Sequence, residues 1–193
     1  MRIEYRPMDP LAEPAPAKVF FALWPAAAER GRLAAWLHPL RKLCGGREMR
    51  GETLHCTLVF IGEVAQSGLE DLCSAAREAG GVSFELSFDQ AHYWEHNHIV
   101  YAAPGRAPQQ LRQLVDNLQK RLTARGFNFD RREYQPHVTL LRNARRAAAT
   151  LPELQPVRWQ IRDFALVRSV QRDGQQGGRA SYQVLARFPL QAG

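Results

Sequence analysis

Two short stretches of the chain carry a histidine and a threonine one residue apart. They are His55-Cys56-Thr57 in LHCTLVF (54–60) and His137-Val138-Thr139 in QPHVTLL (135–141). In an extended chain, alternate side chains share a face, so each imidazole lies beside its hydroxyl in an otherwise apolar segment. Strict alternation in the first stretch sends Leu54, Cys56, Leu58 and Phe60 to one face and His55, Thr57, Val59 and Ile61 to the other. An unpaired buried polar group costs about 1–3 kcal/mol, so the pair is either satisfied by the fold or kept for a ligand. A single H-x-T is most often structural; two copies at matching places point to chemistry. Two imidazoles and two hydroxyls around one small anion suit phosphoryl transfer. One imidazole takes a proton from the nucleophile, the other protonates the leaving oxygen, and the hydroxyls hold the non-bridging oxygens. A cyclic phosphodiester is strained and carries one negative charge, so no metal and no cofactor is expected. Two imidazoles of ordinary pKa, ~6.5, imply a bell-shaped activity profile around neutrality.

The surrounding periodicities show what holds these residues. KVFFALW (18–24) reads as a strand. Pro25 then opens a helix with Leu33, Trp36, Leu37, Leu40 and Leu43 at helical spacing, which CGGRE breaks before the strand with His55. Leu69, Leu72, Ala76 and Ala79 mark a second helix stopped at Gly80-Gly81. VSFELSFDQA and HIVYAAP read as strands, and Pro108–Arg125 as a helix with Leu111, Leu114, Val115, Leu118 and Leu122 on one face. Strand, helix, H-x-T strand therefore occurs twice. Val19 precedes His55 by 36 residues, Val100 precedes His137 by 37, and the histidines are 82 apart. This is an internal duplication. RWQIRDFALVRSV and RASYQVLARFPL close the chain as two strands joined by the glycine-rich QRDGQQGG. The mixture implies an α+β fold. If the halves pack about a pseudo-twofold axis, their H-x-T faces meet across a cleft.

Of the 193 residues, 45% are hydrophobic and 23% charged, which suits one globular domain over residues 18–193. Residues 1–17, with four prolines, read as a disordered arm rather than a signal peptide. No apolar run reaches membrane-spanning length. Three cysteines without C-x-x-C spacing, Cys44, Cys56 and Cys73, suit a reducing cytoplasm. The formal charge is +7, and all but three of the 26 basic residues are arginine. Arginine grips phosphate bidentately, which suits an RNA partner, although a GC-rich coding sequence gives the same bias.

LHCTLVFIGEV and PHVTLLR, with the closing FALVRS…SYQVLARFPL, resemble the RNA 2′,3′-cyclic phosphodiesterases of the 2H phosphoesterase superfamily, also called bacterial 2′-5′ RNA ligases. The resemblance runs from about Lys18 to the end. It implies a bilobal fold of two related antiparallel sheets flanked by helices, with a central cleft. It implies hydrolysis of a 2′,3′-cyclic phosphate to a 2′-phosphate, with reversible 2′-5′ joining of RNA ends in some members. Carried onto this chain, it makes His55 the proton donor and His137 the proton acceptor, with Thr57 and Thr139 on the phosphate. Arg142 matches a phosphate-binding arginine of relatives, although strict alternation turns it away from His137. The partners implied are RNA with a 2′,3′-cyclic phosphate end or a small cyclic nucleotide. A monomer without membrane attachment is expected.

Of Phe20 and Phe21, which alternate beside the cleft strand, one should face the ligand, and Phe21 is assigned to it. Tyr93 and Trp94 are candidates for base stacking or for the core. His92, His96 and His98 have spacing that could hold a metal, but no nearby cysteine or aspartate completes a site. Cys56 is expected to be an inert packing residue. RNARR (142–146) and FDRRE (129–133) could form a backbone-binding rim or ordinary solvated loops.

Overall fold

A computed structural model describes residues 16–145, 152, 154–170 and 181–193. Most of the N-terminal arm, Arg146 and the QRDGQQGG loop lie outside the described residues. Ala17, expected in the arm, instead begins the first strand.

In chain order the elements are β1 (Ala17–Leu23), α1 (Ala27–Ala34), α2 (Leu37–Cys44), β2 (Arg47–Glu48), β3 (Cys56–Val64), α3 (Leu69–Ala79), β4 (Phe84–Phe88), β5 (Gln90–Trp94), β6 (Ile99–Ala103), α4 (Gln109–Ala124), β7 (Val138–Arg142), β8 (Val157–Ile161), β9 (Asp163–Val170) and β10 (Ser181–Pro189). The pattern is α+β with antiparallel sheets. One half runs β10-β9-β1-β3, and the other runs β7-β6-β5 with β2 beside β7. The halves meet through one residue pair, Cys56 opposite Val138, which links them into a single eight-stranded sheet. That pair places the two H-x-T motifs side by side at the centre. A separate two-stranded sheet joins β4 to β8.

The duplication is visible in the pairing. β1 lies antiparallel between β3 and β9, and β6 lies antiparallel between β7 and β5. The outer strand of the second half directly precedes β6, whereas that of the first half arrives from the far end of the chain. α4 buries Leu111, Leu114, Val115, Leu118 and Leu122, its whole apolar stripe, and Asn117 Nδ2 donates to the Ala79 carbonyl at the end of α3 (3.1 Å). Val19, Phe21 and Leu23 face the large core that contains these helices. Phe20, Ala22 and Trp24 face the other side and form a small cluster with Ala165 and Val167, against which Tyr182 packs.

Three sequence expectations change. The helix expected after Pro25 is two helices, α1 and α2, with Trp36 at the join. Pro39 explains the break: it lacks an N–H and would clash inside a continuous helix, but it is tolerated in the first turn of α2. VSFELSFDQA divides at Asp89 into β4 and β5, which belong to different sheets. RWQIRDFALVRSV likewise divides at Arg162 into β8 and β9. No helix of the described residues is long and apolar enough to cross a membrane.

Candidate active site

The two histidines are held the same way. Nδ1 of His55 lies 2.7 Å from the carbonyl oxygen of Thr53, and Nδ1 of His137 lies 2.8 Å from that of Gln135. A carbonyl only accepts, so each Nδ1 donates its proton to the main chain two residues earlier. Each Nε2 is left with a free lone pair. His55 and His137 sit just before β3 and β7, so the backbone reaches the imidazole before the ladder begins.

The imidazoles differ in their enclosure. His55 is stacked on Phe20 and Trp24 (ring centroids 5.0 and 5.2 Å) and meets Tyr182 edge-on at 5.1 Å. His137 meets Trp94 edge-on at 4.7 Å and Tyr101 at 5.7 Å. Burial pushes His55 down to about 4; the Thr53 carbonyl opposes this, while His137 and Arg142 add to it. Burial also lowers His137, against the Gln135 carbonyl and with help from Arg142 and Arg132. The enclosure therefore favours the neutral form of both imidazoles in the free protein.

Two β-bulges set the rest of the site. Along β3, Ala22 pairs with Thr57 and Phe21 with Val59, so Leu58 is an extra residue. Along β7, Tyr101 pairs with Thr139 and Val100 with Leu141, so Leu140 is extra. A bulge reverses the alternation beyond it. Leu58 and Val59 are both buried, as are Leu140 and Leu141, and the next residues, Phe60 and Arg142, turn back to the open face. Arg142 thus lies with His137 and Thr139 on the wall of a cleft of about 770 Å³, which Thr57 also lines. The obstacle raised by strict alternation is removed by Leu140. Phe60, expected on the core face, lines the cleft instead. Gly46 (φ +86°) lets β2 lie against this strand, since a Cβ there would come within 2.8 Å of the Arg142 carbonyl oxygen. Among the described residues no carboxylate pairs with Arg142.

The assignment of Phe21 to the ligand is corrected. Phe21 is fully buried among Phe164 and Phe188, on the helix-covered face. Phe20 is the neighbour that turns to the site, where it stacks on His55. Trp24, Tyr182 and Tyr101, which also enclose the histidines, are not singled out by the sequence reading. The period-two pattern Phe20, Ala22, Trp24 is a signal that could have found the first of them. Trp94 lines the cleft, packed on Tyr101 at 4.0 Å, whereas the Tyr93 hydroxyl is bound to His98 Nδ1 at 2.8 Å. His92 bonds Gln90 and His98 bonds Tyr93. Among the described residues no group of three His, Cys, Asp or Glu is placed to hold a metal ion. Cys56 is fully buried at the join of the halves, 3.8 Å from the Tyr134 hydroxyl, and burial pushes its thiol up to about 11.

A family model described as the 2′-5′ RNA ligase superfamily matches residues 30–173. The chain belongs to that superfamily. It is 29% identical over 178 residues to the RNA 2′,3′-cyclic phosphodiesterase of Escherichia coli K12, covering 91% of this chain and 97% of that protein. The crystal structure of E. coli LigT in apo form superposes with a TM-score of 0.80 at 28% identity, over 92% of this chain and 99% of that one. LigT complexed with 3′-AMP gives 0.79 at 28% identity, over 91% and 98%. The matched span contains both H-x-T strands and Arg142.

Proposed function

We propose that this chain hydrolyses 2′,3′-cyclic phosphate ends of RNA to 2′-phosphates by two-histidine acid–base catalysis. The observation that carries the reading is the paired tautomer lock: two imidazoles, each with Nδ1 on a main-chain carbonyl and Nε2 free, at the join of the halves with Thr57, Thr139 and Arg142. Water attacks phosphorus and His137 Nε2 takes its proton. The P–O3′ bond breaks, and protonated His55 gives its Nε2 proton to O3′. The product keeps its phosphate on O2′. Arg142 and the two threonine hydroxyls hold the non-bridging oxygens as charge builds there. A 5′-hydroxyl in place of water gives a 2′-5′ linkage by the same proton transfers. The arginine-rich composition and the E. coli relative's name support RNA as the substrate class.

Incubating the protein with a cyclic-phosphate-ended oligonucleotide and identifying the product by phosphorus NMR tests the reading. A 2′-monophosphate is expected, at an undiminished rate in excess EDTA. A 3′-phosphate product, or loss of activity on chelation with rescue by a divalent ion, would overturn it.

The pH profile should depart from simple neutrality. Turnover needs one imidazole charged and one neutral. Both are lowered below 6.5 in the free protein, so their singly protonated state is most populated on the acid side of neutrality. We expect kcat/KM to peak below pH 6.5 and to fall as pH rises past the upper pKa. The bound phosphate anion raises both imidazoles, so the optimum of kcat should lie at higher pH. Coincident optima at or above neutrality for both quantities would mean the enclosure does not control the protons.

A further inference from the structure

We infer that Arg47, paired across the β2–β7 ladder with Arg142, is a second anion site, which holds the phosphodiester joining the terminal nucleotide to the rest of an RNA strand. Arg142 takes the cyclic phosphate, and Arg47 takes the next phosphate along the chain.

Arg47 lies directly opposite Arg142 in the antiparallel pairing of β2 with β7. Residues opposite one another in such a ladder project from the same face, with Cβ atoms about 4.5–5.5 Å apart. Arg142 is on the cleft wall, so Arg47 is carried to the cleft face beside it. The next pair of the ladder has the opposite facing. Leu141 is fully buried, and Glu48, across from it, meets Arg41 of α2 at 3.6 Å. The carboxylate nearest in sequence is thereby turned away from both cleft arginines. Glu52, the next along the chain, is taken by Arg50 at 3.3 Å. Among the described residues no carboxylate pairs with Arg47. Like charges directly opposite in a ladder destabilise it. Two exposed guanidinium groups side by side, neither with an anion of its own, are an arrangement that the fold does not need and that an anionic ligand relieves.

The backbone under Arg47 is fastened on both sides. Met49 N donates to the Leu140 carbonyl at 2.8 Å, and Arg145 N donates to the Cys44 carbonyl at 2.8 Å. The stem of Arg47 therefore starts from a fixed point next to the phosphate-binding arginine. In an RNA that ends in a cyclic phosphate, the terminal ribose carries that phosphate on O2′ and O3′ and a phosphodiester on O5′. Two stems rooted side by side match two phosphates one ribose apart, and each guanidinium can grip its phosphate bidentately. A cyclic mononucleoside phosphate offers only the first. Arg47 thus separates the end of a polymer from a free cyclic nucleotide by charge rather than by base.

The inference rests on the cyclic-phosphate reading, and the test separates the two. Arg47→Gln and Arg47→Lys are compared with the native protein on three substrates. These are adenosine 2′,3′-cyclic phosphate, the diadenosine dinucleotide with a 2′,3′-cyclic phosphate end, and the same dinucleotide with a neutral methylphosphonate linkage. Arg47→Gln should raise KM for the charged dinucleotide roughly 10-fold with kcat nearly unchanged. The other two substrates should react as they do with the native protein. Arg47→Lys keeps the charge without the fork and should fall between. The salt dependence of binding the charged dinucleotide should become shallower by about 0.7 in log K against log salt, the loss of one phosphate contact. If Arg47→Gln affects the charged and neutral dinucleotides alike, or affects neither, Arg47 does not hold the phosphodiester. If the native protein turns over none of the three, the functional reading fails, and calorimetry still decides the role of Arg47. Arg47→Gln should then weaken the 2′-phosphorylated dinucleotide and not adenosine 2′-monophosphate; native affinity for that dinucleotide would overturn the inference.

Discussion

His55→Ala and His137→Ala are each expected to lower kcat on a cyclic-phosphate-ended RNA by at least about 100-fold, with the fold retained. The size follows from what is removed: each imidazole carries one of two proton transfers, and each transfer contributes typically 10²–10⁴-fold. The fold should survive because both side chains are only half-buried, and truncation removes one hydrogen bond each, to the Thr53 and Gln135 carbonyls, with the ring contacts at the cleft wall. Because the two act as a unit, the double variant should be much less impaired than the product of the single losses. The roles can be separated with a phosphodiester whose nitrophenolate leaving group needs no proton. His55→Ala should recover most of its activity on that substrate, and His137→Ala should not. Near-native turnover of RNA by either folded single variant would sink the two-histidine mechanism. Recovery by His137→Ala instead would reverse the assignment of acid and base.

Arg142→Gln should lower kcat/KM for a cyclic mononucleotide by about 100-fold, the usual loss when one preorganised donor is taken from a developing oxyanion. A second effect distinguishes this from a general disturbance. Burial is the main cause that holds His55 and His137 down, and the Arg142 guanidinium adds to it, so its removal lets both rise part of the way. The whole kcat/KM profile should therefore move to higher pH as it falls. A near-native rate on the mononucleotide with an unmoved optimum would mean that Arg142 acts only as a distant counter-charge to RNA.

The sequence made the elements, the duplication and the four motif residues readable, because these depend on periodicity and residue type. α3 matches its expected span, and α4 buries the five apolar residues assigned to its stripe. What it did not make readable depends on register. Alternation carried past Leu58 and Leu140 assigns Phe60 to the core and turns Arg142 from the cleft; a single extra residue in each ladder reverses both. No residue type announces these bulges, since leucine at either position is an ordinary strand residue. The choice between Phe20 and Phe21 failed for a related reason. Two adjacent aromatics on a strand with both faces covered give no sign of which face meets helices and which meets an imidazole. The divisions at Asp89 and Arg162 went unseen because each pair of strands is continuous in pattern and separates only in its partners.

The manner in which the histidines are oriented bears on how this site drifts over evolutionary time. In a triad-like arrangement, a carboxylate side chain holds the imidazole, and one mutation can delete it. Here the acceptors are the main-chain carbonyls of Thr53 and Gln135, which every residue type possesses. Substitution at those positions leaves the acceptor in place provided the backbone keeps its path. Mutational robustness is thus built into the covalent chain: the orienting groups cannot be lost one base change at a time. The two halves could diverge until threonine stood at one acceptor position and glutamine at the other, while both imidazoles kept the same tautomer.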